Sequence, residues 1–207
     1  MRELWDIEKD CFDRGIQMIC GVDEAGAGPL MGPVYAAAVI LPPYCEMDGL
    51  NDSKELTPKK RDLLYEEITA KAVAWSVARV EAAEIDATDI LSARMKAMQL
   101  AIDGLSVQPE LALIDGNRDK GKTAKITTQH ECFVGGDGRS ASIAAASILA
   151  KVSRDRYVTD VLDKQYPAYR FAKHKGYGTR LHYEMLDQYG PCPEHRMTFL
   201  KKWGAKR

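Results

Sequence analysis

The feature that most restricts the fold is a pair of short apolar runs around a glycine- and proline-rich loop. Residues 16–22 (IQMICGV) and 34–41 (VYAAAVIL) are short, apolar and free of helical periodicity, so they read as buried strands joined by AGAGPLMGP. The segments that follow can cover such a pair. Thr57 is an N-cap with Pro58 at the first helical position, and KKRDLLYEEITAK sets Leu64, Ile68 and Ala72 on one helical face. Residues 73–78 alternate as a strand does, with Val73, Trp75 and Val77 on one side and Ala74, Ser76 and Ala78 on the other. From Asp86 to about Leu105, the positions Leu91, Met95, Met98, Ile102 and Leu105 recur at helical spacing, the methionines acting as core filling. Next come a short strand, LALID (residues 111–115), a polar loop, GNRDKGKT, and a strand over residues 125–134. A long helix opens at Ser140 or Ser142, its first turns rich in small residues that permit close packing. Beyond Pro167, HKGYGT is a turn, Thr179 caps a short helix closed by Gly190, and Pro193 precedes another helix, EHRMTFLKKW. This order predicts an α/β fold with a mixed central sheet flanked by helices, followed by a small C-terminal helical extension.

Composition removes several alternatives. Over 207 residues, 45% hydrophobic and 29% charged content matches an ordinary globular protein and excludes collagen-like and disordered chains. The net charge of −1, taken whole, argues against a nucleic-acid partner. It conceals a split, because residues 1–150 carry 16 basic against 24 acidic groups and residues 151–207 carry 13 against 6. An acidic body therefore precedes a basic section. Five cysteines (Cys11, Cys20, Cys45, Cys132, Cys192) form no C-x-x-C motif, and the four histidines lack zinc-site spacing, so reduced thiols and structural or surface histidines are expected. The charged start, MRELWDIEKD, and the lack of any run of about 18 apolar residues lead to an expected cytoplasmic location without membrane association.

Four acidic residues stand where α/β sheets build their sites. Asp23 and Glu24 end the first strand, Asp115 ends the LALID strand, and Asp137 lies between Gly135-Gly136 and a helix start. Carboxylates gathered there repel unless cations lie between them, and hard oxygen ligands select magnesium or manganese. Two such ions about 4 Å apart, bridged by a shared aspartate, activate water and stabilise the leaving oxygen in phosphodiester cleavage. Taken singly, Asp137 is equally a helix cap and Asp115-Gly116-Asn117 equally a turn. Asp23 and Glu24 also point to opposite faces of a regular strand, so both reach one site only if the strand kinks or Glu24 offers its carbonyl.

The loop AGAGPLMGP lacks the pattern of a Walker loop and the helix placement of a dinucleotide fingerprint. Its bare backbone at Gly26, Ala27 and Gly28 would let a ligand approach main-chain groups closely, although flexible hairpin glycines are the ordinary reading of one such loop.

The string GVDEAGAGPLMGPVYAAAVILP, followed in order by LNDSKELTPKKR, LIDGN, GGDGRSASIAAASILAKVSRDRY and HKGYGT, closely resembles the ribonuclease HII family from about Cys20 to Phe199. The resemblance implies a ribonuclease H-like fold in which Asp23, Glu24, Asp115 and Asp137 form the active site and hold Mn2+ or Mg2+, Asp23 bridging. It implies a catalytic domain over residues 1–165 and a basic extension over 166–207 that completes the substrate site. The expected activity is endonucleolytic hydrolysis of RNA in RNA–DNA hybrids and cutting 5′ to single ribonucleotides in duplex DNA, for ribonucleotide removal, by a monomer. The glycine loop would read the 2′-hydroxyl, the one group that separates ribose from deoxyribose, through its main chain. Ser53 and Lys54 match the family's Asp-Ser-Lys block, Tyr177 resembles the tyrosine that packs on the junction sugar, and His174, Lys175 and Arg180 are candidate phosphate contacts.

Two positions depart from the family pattern. Ala27 replaces the usual arginine of Gly-Arg-Gly, which removes a cation from beside the scissile phosphate, and Gly135 replaces a usual lysine. Rival readings are a noncatalytic nucleic-acid-binding module, which would not need the carboxylates, and another metal-dependent nuclease such as a resolvase, which would not need Tyr177 together with Gly-x-Gly. The ending KKWGAKR contains no clear clamp-binding peptide.

Overall fold

The two apolar runs become the middle of a five-stranded sheet in the computed structural model, which describes residues 4–205. Strands β1 (Ile19–Ala25), β2 (Val34–Ile40), β3 (Ala74–Val80), β4 (Leu111–Asp115) and β5 (His130–Phe133) lie in the order β3-β2-β1-β4-β5. The first three form an antiparallel meander, whereas β4 and β5 extend the sheet parallel to β1, giving the mixed topology expected. Asp23 pairs with Ala37 and Glu24 with Ala36 across the β1–β2 ladder.

Helices cover both faces. In chain order they are α1 (Asp6–Asp13), α2 (Pro58–Lys71), α3 (Ala82–Ala87), α4 (Ile90–Asp103) and α5 (Ala141–Tyr157). On one face, Met95, Met98, Ala101 and Ile102 of α4 pack on Cys20, Val22, Ala36, Ala38 and Ile114. On the other, Ala141, Ala145, Ile148 and Leu149 of α5 join Leu64 and Ile68 of α2 over Ala37 and Val39. Each large aliphatic side chain buried this way contributes about 1.5–3 kcal/mol. The even positions of β1 therefore face α4 and the odd positions face α5. The small residues of α5 allow the close approach expected, and a Cβ on Gly21 would fall inside the Ser142–Ile143 backbone.

After α5 the chain passes through a π-helical turn (Val158–Leu162) into α6 (Asp163–Gln165), then α7 (Phe171–His174), α8 (Arg180–Tyr189) and α9 (Lys201–Gly204). This section docks on the glycine loop through main-chain hydrogen bonds, Leu30 N to Gly176 O at 2.8 Å, Arg196 N to Leu30 O at 2.8 Å and Gly32 N to Glu194 O at 2.9 Å.

The caps at Thr57, Ser140 and Thr179 stand where expected, each accepting from the amide three residues on. Four elements differ by three residues or more at a boundary. The first strand starts at Ile19 rather than Ile16, because the amides of Gln17 and Met18 donate to Glu110 Oε2. The helix expected from Asp86 is split at Thr88, and α4 restarts under an Asp89 cap bonded to Ser92 N. The strand expected over 125–134 shrinks to β5, since Ile126 N bonds back to Asp119 O and Gln99 Oε1 takes the amides of Thr127 and Thr128. The helix expected in EHRMTFLKKW begins only at Lys201: the amides of Arg196, Met197 and Thr198 are committed to Leu30 O and to Asp86.

Candidate active site

Asp23 lies in β1 and Asp115 ends β4, the parallel neighbours at the centre of the sheet, and both occupy the face that carries α5. Asp137 joins them from a single 3-10 turn (Gly136–Gly138) just before α5. A carboxylate oxygen from each of the three lies within 4.8 Å of the others. Asp23 is 4% exposed. Burial, then the charges of Glu24 and Asp115, push its carboxyl well above the usual aspartate range, opposed by hydrogen bonds from Glu24 N and the Ser147 hydroxyl. Asp115 is raised as well, first by burial and then by Asp137, while Gly136 N donates to its Oδ1 at 2.8 Å.

Glu24 follows the alternation of a regular strand. β1 continues unkinked to Ala25, and the Glu24 carboxylate turns to the α4 side, where Arg94 Nη2 meets its Oε1 at 2.7 Å. Its Oε2 is buried with no hydrogen-bond partner, and its charge still raises both Asp23 and Asp115. Buried carboxylates in excess of nearby cations, with one oxygen unpartnered, are the donor set a divalent ion fits. Asp23, Asp115 and Asp137 would hold such an ion, with Glu24 at the margin of the group.

Ser53 is buried and its Oγ hydrogen-bonds Ser147 Oγ at 2.7 Å, so it braces the serine that bonds Asp23. Lys54 Nζ lies 3.2 Å from Asp137 Oδ2. Burial works against the Lys54 ammonium, but Asp137, Asp52 and Asp23 outweigh it and hold its pKa above the ordinary lysine value.

The glycine loop is built from beneath by two buried arginines that the sequence reading missed. Arg196 is 0% exposed. Its guanidinium donates to Gly26 O at 2.7 Å, Ala27 O at 3.1 Å, Pro29 O at 2.9 Å and Gly32 O at 2.9 and 2.8 Å. Arg154, from α5, donates to Met31 O, Pro33 O and Lys175 O. Gly26 has φ +93°, and a Cβ there would overlap the Arg154 guanidinium, so glycine is required on two grounds. An arginine within a helical pattern normally reads as surface, which is why nothing local marked either residue.

Tyr177 is 43% exposed and faces Gly28, with Lys151 Nζ 5.8 Å from its ring. Ala27 is half-buried beside it. Arg180 is exposed and pairs with Glu184 at 2.7 Å, whereas Lys175 turns its Nζ to Thr159 Oγ1 at 2.6 Å and Ala172 O at 2.9 Å. His174 differs from the expected phosphate contact: it is buried, and its ring nitrogens are engaged by Tyr169 O and Gly176 N. The structural role expected for histidines holds there and at the neighbouring His182 and His195, also buried. All five cysteines are free thiols, as expected.

A mixed sheet with three carboxylates at its central strands and a helix crossing the first strand defines the ribonuclease H-like class of metal-dependent nucleases. Solved structures agree. The ribonuclease H2 of Pyrococcus horikoshii superposes with a TM-score of 0.73 at 25% identity, covering 91% of this chain and 97% of that one. The ribonuclease HII of Archaeoglobus fulgidus, solved as a PCNA complex, gives 0.69 at 25% identity, with coverage of 87% and 94%. The family model for ribonuclease HII matches residues 20–203. Curated ribonucleases HII from Caldicellulosiruptor bescii, 49% identical over 95% of this chain and 93% of that protein, and from Aliivibrio salmonicida, 53% identical over 91% and 88%, agree with it. The chain belongs to the ribonuclease HII family, and it is a metal-dependent endoribonuclease. Among the described residues, no helix is long and apolar enough to cross a membrane.

Proposed function

We propose that this chain hydrolyses the RNA strand of RNA–DNA hybrids and cuts 5′ to single ribonucleotides embedded in duplex DNA, in the service of ribonucleotide removal. The observation that carries the reading is the carboxylate group of Asp23, Asp115 and Asp137 beside a glycine loop and an exposed tyrosine. A bound pair of Mn2+ or Mg2+ ions would supply a nucleophile at neutral pH and neutralise the charge developing on the leaving oxygen. Asp23, held by Glu24 N and Ser147, and Asp115, held by Gly136 N, present their oxygens without reorganisation. Glu24, restrained by Arg94, completes the acidic set from the far side of the strand.

Substrate recognition follows from the neighbouring residues. The main chain of Gly26, Ala27 and Gly28, kept in one shape by Arg196 and Arg154, offers groups to the 2′-hydroxyl. Tyr177 packs against the sugar at the junction. Lys54, swinging from Asp137, and the cations of the groove between α2 and α5, among them Arg61, Lys151, Arg156 and Lys175, would meet the phosphates. Arg180 lies further out on the same basic section, and His174 acts through the shape of the turn. In this reading residues 166–207 complete the substrate site of the body formed by 1–165, and the chain works as a cytoplasmic monomer.

An RNA–DNA hybrid incubated with the enzyme in Mn2+, in Mg2+ and in EDTA tests the chemistry. We expect cleavage in one or both metals, none in EDTA, and loss of at least about a hundredfold in Asp115→Asn, in line with several kcal/mol of metal-derived stabilisation. Cleavage that persists in EDTA or in the variant overturns it.

A further inference from the structure

Below Tyr177, three histidines pack around Phe171, and their hydrogen bonds fix every tautomer. Cys192 N donates to His195 Nδ1 at 2.9 Å, which leaves the His195 proton on Nε2. That nitrogen lies 3.0 Å from His182 Nε2. His182 Nδ1 lies 3.0 Å from the Tyr177 carbonyl, a pure acceptor, so the His182 proton sits on Nδ1 and its Nε2 accepts from His195. His174 stacks on His182 with ring centroids 4.4 Å apart, donates from Nε2 to Tyr169 O and accepts on Nδ1 from Gly176 N. Protons therefore run one way, from Cys192 N–H through two neutral imidazoles to the Tyr177 carbonyl.

We propose that His195 and His182 are positioning residues for Tyr177, acting as a one-directional chain of neutral imidazoles that fixes the turn on which the tyrosine stands. The proposal rests on the reading of Tyr177 as the residue that senses the ribonucleotide sugar. The backbone of this turn is unusual in the way such a device needs: Lys175 has φ +51° and Gly176 φ +85°, and a Cβ on Gly176 would strike Met31 Sδ at 2.6 Å. A turn held in that shape has little tolerance for losing a partner. Protonating His182 would set two N–H donors against each other at His182 Nε2 and His195 Nε2, and protonating His195 would set a new Nδ1–H against Cys192 N–H. Burial pushes both imidazoles down to about 4, consistent with a chain that stays neutral. The ionisable groups around them are Tyr169 and Cys192 beside His195, Asp163 and Lys175 near His174, and Glu194 next to Cys192.

Two measurements test it. Nitrogen-15 NMR of the full-length protein at pH 7 reads tautomers directly and needs no variant. We expect Nδ1–H at His182, the less common form, with Nε2–H at His195. The opposite tautomer at His182, or an imidazolium at either residue, overturns the chain. The second is a double-mutant cycle on a duplex carrying one ribonucleotide. His182→Leu should lower kcat/KM about tenfold, the worth of one lost hydrogen bond near its upper range, and His182→Asn, which keeps a donor near Nδ1, should recover most of it. In a Tyr177→Ala background His182→Leu should cost nothing further. Independent, additive losses overturn the positioning role, because a merely structural histidine would not depend on Tyr177. If Tyr177→Ala alone leaves cleavage intact, the reading of Tyr177 fails, and the NMR result still decides whether the chain exists.

Discussion

At the scale of single residues, the site is a set of charges that the fold leaves unbalanced. Asp23 is buried among Glu24 and Asp115, and its raised carboxyl means that the metal-free fold works against its own ionised form. Asp23→Asn should abolish cleavage and yet raise the melting temperature in EDTA. Because the folded carboxyl has the higher pKa, lowering pH protonates the folded wild type first and relieves the penalty. The stability gap between wild type and variant should therefore be widest at neutral pH and close as pH falls toward the ordinary aspartate range. Differential scanning calorimetry across pH in EDTA checks both, and a variant less stable than wild type at neutral pH contradicts the account. Ala27 is the second residue of interest. Its carbonyl is held by Arg196, so the main chain is already in place and only a side-chain cation is missing. Ala27→Arg should tighten substrate binding and steepen its logarithmic salt dependence by about one phosphate contact, measured by binding titrations at several salt concentrations. Asp23, Asp115 and Asp137 were legible in the sequence because each sits at a strand end or a helix start. Glu24 was legible only as a doubt: strand alternation sends it to the α4 side, as the sequence warned. Arg154 and Arg196 were not legible, since their glycine-loop partners are main-chain carbonyls 121 to 170 residues distant.

Elements place these residues through contacts that no local pattern announces. α5 crosses β1 so closely at Gly21 that the Asp137 turn and Ser147 are both brought to Asp23. The glycine loop takes its shape from Arg196, and Arg196→Met would strand the carbonyls of Gly26, Ala27, Pro29 and Gly32. A loss of about 3–5 kcal/mol is expected, as for breaking other buried, hydrogen-bonded charges, and urea unfolding measures it. A loss under about 1 kcal/mol would mean the loop holds itself. The helix caps were readable because Thr57, Ser140 and Thr179 act within three residues of themselves. The ends of β1, β5, α4 and α9 were misread because Glu110, Gln99, Asp89 and Asp86 take backbone amides that a helix or strand would otherwise use.

For the whole molecule, the question is how a chain of net charge −1 handles nucleic acid. The acidic excess of the body includes carboxylates that bound metal would offset, and the basic excess lies after residue 150, where Lys151, Arg156 and Lys175 line the groove beside α2. His182 and His195 are buried within the C-terminal section that docks on the glycine loop. Their folded pKa of about 4 lies below the ordinary 6.5, so the unfolded chain takes up protons that the folded one refuses as pH drops through that interval. This contribution to stability is complete above about pH 6.5 and declines toward pH 4, and Leu variants at either position should show a shallower decline in urea unfolding followed across pH. The charge split was visible in the sequence and the resemblance already implied a basic extension that completes the substrate site; the fold adds that this section docks on the glycine loop through main-chain hydrogen bonds. The central claim is that metal held by the carboxylates of the central strands and the Asp137 turn cuts next to a ribose that the loop and Tyr177 have read. The most direct test is to map the products from an end-labelled DNA duplex containing one ribonucleotide, in Mn2+ or Mg2+. The account predicts a single cut on the 5′ side of the ribonucleotide and an untouched all-DNA duplex; cuts spread over the deoxyribonucleotides, or a cut all-DNA duplex, would contradict it.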